Sequence, residues 1–168
     1  MPVLGIDPGR QGSMVLLDTQ GVIEQHVMPT IGKVLDERAI SEIIRKMYAK
    51  HIGLHVYLEE VHAIFGSSAK ATFSFGDTCG FLRGVVTAFG IPYSKVQPKT
   101  WQAKMFEGIP KQWKVGKVKR VDTKRMALLA SKRLFPDFNN LATERCTKPH
   151  DGLIDALLIA EFGRRDRQ

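Results

Sequence analysis

The spacing of apolar and polar positions changes several times along this 168-residue chain. "PVLGIDPG" (Pro2 to Gly9) predicts a short buried strand halted by a Pro-Gly turn. "GSMVLLDT" (Gly12 to Thr19) predicts a second strand, Gln20-Gly21 a hairpin turn, and the alternating "VIEQHVM" (Val22 to Met28) a third. The period then lengthens. Ala39, Ile40, Ile43, Ile44 and Met47 recur at helical spacing, behind Asp36 as a cap and ahead of Gly53 as a stop. "LHVYLEE" returns to strand character. From Ser67 to Phe89 the chain reads as a helix in which Gly76, Gly80 and Gly84 share one flat face. "IPYSKVQP" (Ile91 to Pro98) is a fifth strand, and "KTWQAKMF" (Lys99 to Phe106) is one or two helical turns. A helix capped by Asp122 or Thr123 runs to Leu134, and "HDGLIDALLIAEFGRR" forms the last helix. Met14, Phe75 and Phe89 are assigned to the core.

This order predicts an α/β fold. Its mixed five-stranded sheet has three antiparallel strands, then two parallel strands joined through helical crossovers, with helices flanking it. The length suits a single domain with one core over residues 1–168. No internal repeat or low-complexity segment is evident. No apolar run is long enough to cross a bilayer, and the N-terminus lacks the basic start of a signal peptide. Cys79 and Cys146 are far apart, without metal-type spacing, so a reduced, cytoplasmic setting is expected.

Charge narrows the partner. A net charge of +8 and a pI near 9.7 favour a polyanion, most often nucleic acid. The cations are concentrated: Lys111 to Arg125, "KQWKVGKVKRVDTKR", holds seven Lys or Arg and one acid. Such a run is often only a solvated face. Here it contains Trp113 and valines and lies between ordered segments, which predicts a basic, phosphate-gripping loop at about residues 107–121.

Against this basic background, acids stand at element ends. Asp7 ends the first strand, Glu59 and Glu60 end the fourth, and Asp151 and Asp155 lie one turn apart on the last helix. Side chains alternate along a strand, so Glu59 and Glu60 cannot both face one site while the strand lasts. If the first and fourth strands are neighbours, Asp7 meets one glutamate at a common sheet edge, within reach of the last helix. Plainer readings exist: Asp7 is a common turn acid before Pro-Gly, and Asp151 is a favourable charge at a helix start. Asp155 is harder to dismiss, because nearly all its neighbours in "GLIDALLIAEF" are apolar. Gathered carboxylates repel and need a cation. Hard oxygen donors in an open, wet site select Mg²⁺, with Mn²⁺ as a substitute, and one or two such ions suit phosphodiester hydrolysis.

"GIDPG" (Gly5 to Gly9), "LEEV" (Leu58 to Val61) and "DGLIDALLIA" (Asp151 to Ala160), in that order, resemble the RuvC family of Holliday-junction resolvases within the RNase H-like superfamily. The likeness covers nearly the whole chain. The late "LFP" before the final acidic helix looks more like the phage and organellar types than the cellular bacterial form. The resemblance implies a metal-binding tetrad of Asp7, Glu59, Asp155 and a fourth ligand. Bacterial relatives place the fourth acid three residues before Asp155, where this chain has Gly152; Asp151 is the obvious substitute and His150 a second candidate. Glu59 is then expected to face the metals. Glu60 is expected to point away, to an amide, a lysine or solvent, and most simply as an exposed acid. The Gly76, Gly80, Gly84 face, with Phe73, Phe75 and Phe81 as anchors, is the expected meeting place of a homodimer, in agreement with the resemblance, and the plainer reading is that these glycines only let the helix lie close on its own sheet; the basic loop and its flank are expected to contact DNA through Lys111, Lys114, Lys117, Lys119, Arg120 and Lys124. Lys119, then Lys124, is the expected catalytic lysine, and Phe65 a wedge against unpaired bases. The expected activity is Mg²⁺-dependent resolution of four-way DNA junctions, with no nucleotide cofactor and no membrane. Rivals are another RNase H-like nuclease acting on RNA or branched DNA, an actin-like ATPase, disfavoured by chain length, and a non-catalytic junction-binding protein.

Overall fold

The computed structural model describes residues 1–60, 68–114 and 120–167. β1 (Val3–Asp7), β2 (Ser13–Leu17) and β3 (Val22–Val27) form the antiparallel meander. Two turns set it up. Gly9 takes φ +116° after Pro8, and the Gly12 amide donates to the Gly9 carbonyl at 3.0 Å. Gly21, at φ +126°, closes the second turn, where Asp18 Oδ1 accepts from the Gln20 amide at 2.7 Å and from the Gly21 amide at 3.2 Å.

A small ribbon follows that the hydrophobic pattern did not suggest: β4 (Thr30–Ile31) pairs antiparallel with β5 (Val34–Leu35) around Gly32 at φ +62°. Two-residue strands are too short to display a period. α1 (Glu37–Lys50) begins where Asp36 accepts from the Ala39 amide at 3.0 Å, and it buries Ile40, Ile44 and Met47. β6 (His55–Glu59) then pairs parallel with β1, Val3 opposite His55 and Ile6 opposite Leu58. α2 (Ala69–Ala88), capped by Ser68, crosses to β7 (Tyr93–Val96), which pairs parallel with β6. The sheet order is β3-β2-β1-β6-β7, which makes neighbours of the first and fourth predicted strands, an adjacency the sequence left open.

α3 (Pro98–Met105) starts on Pro98, one residue earlier than expected, because proline suits the first helical position. α4 (Thr123–Leu134) is capped by Asp122, which accepts from the Arg125 amide at 3.1 Å. α5 (Asp151–Asp166) closes the chain. One sheet face packs Leu4, Ile6, Leu16, Val56 and Leu58 against α1 and α2. The other packs Val3, Tyr57 and Val96 with Trp101, Ile154 and Leu158 of α3 and α5.

α5 lies so close to β1 that a Cβ on Gly5 would strike the Ala156 carbonyl oxygen and the Ala160 amide nitrogen. Two core assignments need correction: Phe75 is half-buried and Phe89 is 36% exposed, since Phe89 is the C-cap of α2, where the chain already turns toward solvent. Among the described residues no helix is long and apolar enough to cross a membrane.

Candidate active site

Asp7 and Glu59 are the last residues of adjacent parallel strands, each one step beyond the Ile6–Leu58 pair. Their parity places them on the α3/α5 face, with Val3, Gly5 and Tyr57. Glu60 has the opposite parity, and its carboxylate accepts from Lys95 Nζ at 2.5 Å. The two neighbouring glutamates thus bond different partners, Trp101 and Lys95, although both line one small cavity with Gly76 and Cys79. Glu60 is half-buried and paired, not simply exposed.

α5 supplies Asp151 in its first turn and Asp155 one turn later. Asp7, Asp151 and Asp155 line a cleft of about 400 Å³ together with Pro8 to Gly12, Lys124 and Gly152. Gly152 is a packing position, because a Cβ there would meet the Gln11 carbonyl oxygen. An acid at 152 would therefore be forced into backbone, whereas Asp151 reaches the cleft. His150 is the helix N-cap: its Nδ1 accepts from the Leu153 amide at 3.2 Å. That bond occupies one of its two ring nitrogens. Burial also holds its pKa below the ordinary value, with Asp151 pulling the other way.

The acids act on one another. Burial holds the Asp7 carboxyl well above the usual range, with Glu59, Asp155 and Asp151 adding like-charge repulsion and Lys124 opposing. Burial, then Glu59 and Asp151, push Asp155 up to about 7. Glu59, 9% exposed, is also raised by burial, while a hydrogen bond donated by Trp101 Nε1 at 2.8 Å lowers it. Lys124 donates to Asp151 Oδ2.

Four carboxylates, three of them raised first by burial and two of these also by like charge, are the donor chemistry of a hard divalent cation. The side chains are not gathered as they stand. Among the described residues no three His, Cys, Asp or Glu converge to hold an ion. Trp101 engages Glu59, and Lys124 engages Asp151. Trp101 occupies only Oε1 of Glu59, so the donor chemistry of Asp7, Glu59, Asp151 and Asp155 fits the cation with that bond kept.

Of the other candidates, Lys124 reaches the cleft, while Lys111, Lys114 and Arg120 are exposed on the basic segment away from the cleft lining. Phe65, Lys117 and Lys119 lie outside the described residues. Trp101 was missed from the sequence. Its signal was a tryptophan on a short amphipathic helix, whose buried N–H requires an acceptor. Arg10 and Gln11, in the β1–β2 turn, were also missed; their signal was position directly after "GIDPG".

The mixed sheet with α1 and α2 on one face and α3 to α5 on the other, bearing acids where β1 and β6 end, is an RNase H-like fold. It is shared with RuvC-type resolvases. The structure of T. thermophilus RuvC in complex with Holliday junction substrate matches with a TM-score of 0.64 and 17% identity, over 99% of this chain and 96% of that one. Thermus thermophilus RuvC matches at 0.60 and 16%, over 99% and 97%. The yeast mitochondrial Holliday junction resolvase Ydc2 matches at 0.58 and 14%, over 97% of this chain and 77% of that one. At these identities the likeness is one of fold. No family model and no curated protein matches the sequence.

Proposed function

We propose that this protein is a divalent-metal endodeoxyribonuclease that resolves four-way DNA junctions. The observation that carries the reading is the placement of Asp7, Glu59 and Asp155 from three separate elements at one sheet edge, electrostatically coupled, with Asp151 and Lys124 beside them. Asp7, Glu59, Asp151 and Asp155 would hold one or two Mg²⁺ ions. When bound, a divalent ion there polarises a phosphodiester and lowers the pKa of water. Asp7 and Asp155 fix the charge of the site. Glu59 is oriented by Trp101. Lys124, beside Asp151, would offer a cation to the phosphate and stabilise charge that develops in the transition state.

The basic segment bearing Lys111, Lys114 and Arg120 grips backbone phosphates. A homodimer suits a substrate with two equivalent strands to cut. Consistent with a subunit interface, a Cβ on Gly76 or Gly84 would meet nothing within 4 Å among the described residues, and Phe73 is 77% exposed nearby. Those glycines therefore do not serve to seat α2 on its own sheet.

A non-catalytic junction-binding protein has one observation in its favour, the absence of three converging ligands among the described residues. One assay decides. With Mg²⁺, the purified protein should nick a four-way junction symmetrically and leave a matched linear duplex intact; binding without nicking supports the non-catalytic reading.

A further inference from the structure

The basic segment is not an irregular loop where it leaves the body of the protein. Trp113 and Val121 face each other in an antiparallel bridge. The Lys114 amide donates to the Arg120 carbonyl at 2.9 Å, and the Asp122 amide donates to the Gln112 carbonyl at 2.8 Å. These bonds flank the pair, which makes Trp113 and Val121 a non-hydrogen-bonded pair, the kind whose side chains lie closest together. Alternation then sorts the stem into two faces. Lys114 and Arg120 share one with Gln112 and Asp122; Trp113 and Val121 form the other. Trp113 remains 45% exposed and Val121 38% exposed. The stem thus displays an apolar surface around an indole within the most basic stretch of the chain.

Its position is fixed relative to the cleft. Asp122 both ends the stem and caps α4, and Lys124 in the first turn of α4 bonds Asp151. Three residues span at most about 11 Å, and a close antiparallel pair adds about 4.5 Å, so Trp113 lies within roughly 15 Å of Lys124, Cα to Cα. That is a few nucleotide steps along a strand.

We propose that Trp113 is a positioning residue that stacks on an unpaired nucleobase near the scissile phosphate, with Val121 supporting the indole from the opposite strand of the stem. An indole offers a π-face to any base, while the neighbouring cations take the backbone, the combination by which proteins hold single strands. The inference rests on the junction-cleaving reading and names how that site registers its substrate.

The chain has two tryptophans, and Trp101 is buried and bonded to Glu59, so the emission of Trp113 is read as the difference between wild type and Trp113→Phe. Titration of a four-way junction with Ca²⁺ in place of Mg²⁺ should quench that emission, and Trp113→Phe should remove most of the quench. Trp113→Ala should weaken junction binding about 5- to 100-fold, with the slope of affinity against salt unchanged, because stacking releases no counterions. Trp113→Phe should restore most of the affinity. Junction binding and cleavage with unmoved emission would overturn the stacking role and leave the nuclease reading intact. A reduced salt slope in Trp113→Ala, or a changed oligomeric state of the DNA-free variant by light scattering, would likewise overturn it. Failure to bind any DNA would overturn both.

Discussion

Glu59 and Glu60 are the same chemical group one position apart, and their partners give them different lives. Glu59 is buried under Trp101 beside Asp7 and Asp155; Glu60 pairs with Lys95. Glu59→Gln should therefore lower cleavage by more than the roughly 10- to 100-fold that even supporting residues of metal sites cost, and Glu60→Gln should leave it near wild type. Single-turnover nicking rates, with enzyme in excess over junction, check the pair, and equal losses would refute the assignment. Trp101→Phe removes the donor to Glu59 while keeping the bulk, and it should cost about 10- to 100-fold in activity or metal affinity.

Asp155 predicts a pH effect. Its folded pKa of about 7 lies above the unfolded value near 3.9, so the folded state binds the extra proton between the two. Its contribution is present below the unfolded pKa and is lost as pH rises through about 7. In chelator, Asp155→Asn should thus become increasingly more heat-stable than wild type between pH 4 and pH 8. Adding Mg²⁺ at pH 8 should narrow that gap, and thermal melts across the range measure it.

At the scale of elements, two glycines separate packing from display. Gly5 lies where α5 presses on β1, and Gly84 opens on an exposed face of α2. Gly5→Ala should destabilise by about 1–3 kcal/mol or more through overpacking. Gly84→Ala should stabilise the isolated chain by up to about 1 kcal/mol, because alanine is the better helix former. Urea denaturation gives both values. If the α2 face joins two subunits, Gly84→Ala should also weaken the dimer by light scattering, and an unaltered dimer would move the interface elsewhere. At the same scale, the β4–β5 ribbon and the stem around Trp113 escaped the hydrophobic pattern. Each strand is one or two residues long, and its pairing depends on cross-strand bonds that no local period records.

The whole molecule divides its charge. An acidic cleft at the sheet edge sits in a chain of net charge +8, whose excess cations gather on the segment leading into α4. Replacing Lys111, Lys114 and Arg120 together by Ala should weaken junction binding and lower its salt slope by up to about 0.9 for each phosphate no longer neutralised. Binding isotherms between 50 and 200 mM salt (about the range over which such slopes are large) test this. An unchanged slope would remove those three from the DNA surface.

Much of the architecture was local information. The antiparallel meander and the parallel character of the later strands followed from a hairpin and two helical crossovers, because antiparallel neighbours need only a tight turn and parallel ones need a helix between them. The acids Asp7, Glu59, Asp151 and Asp155 were readable as candidates from their places at element ends. What only the tertiary structure decided was which groups meet. The indole of Trp101 is 42 residues from Glu59 along the chain, and Lys124 is 27 from Asp151, so neither bond leaves a trace in sequence spacing. Why position 152 holds glycine depended on the Gln11 carbonyl, which leaves no room for a side chain there. Steric exclusion between segments far apart in sequence is a property of the packed fold, and no stretch of the chain carries it alone.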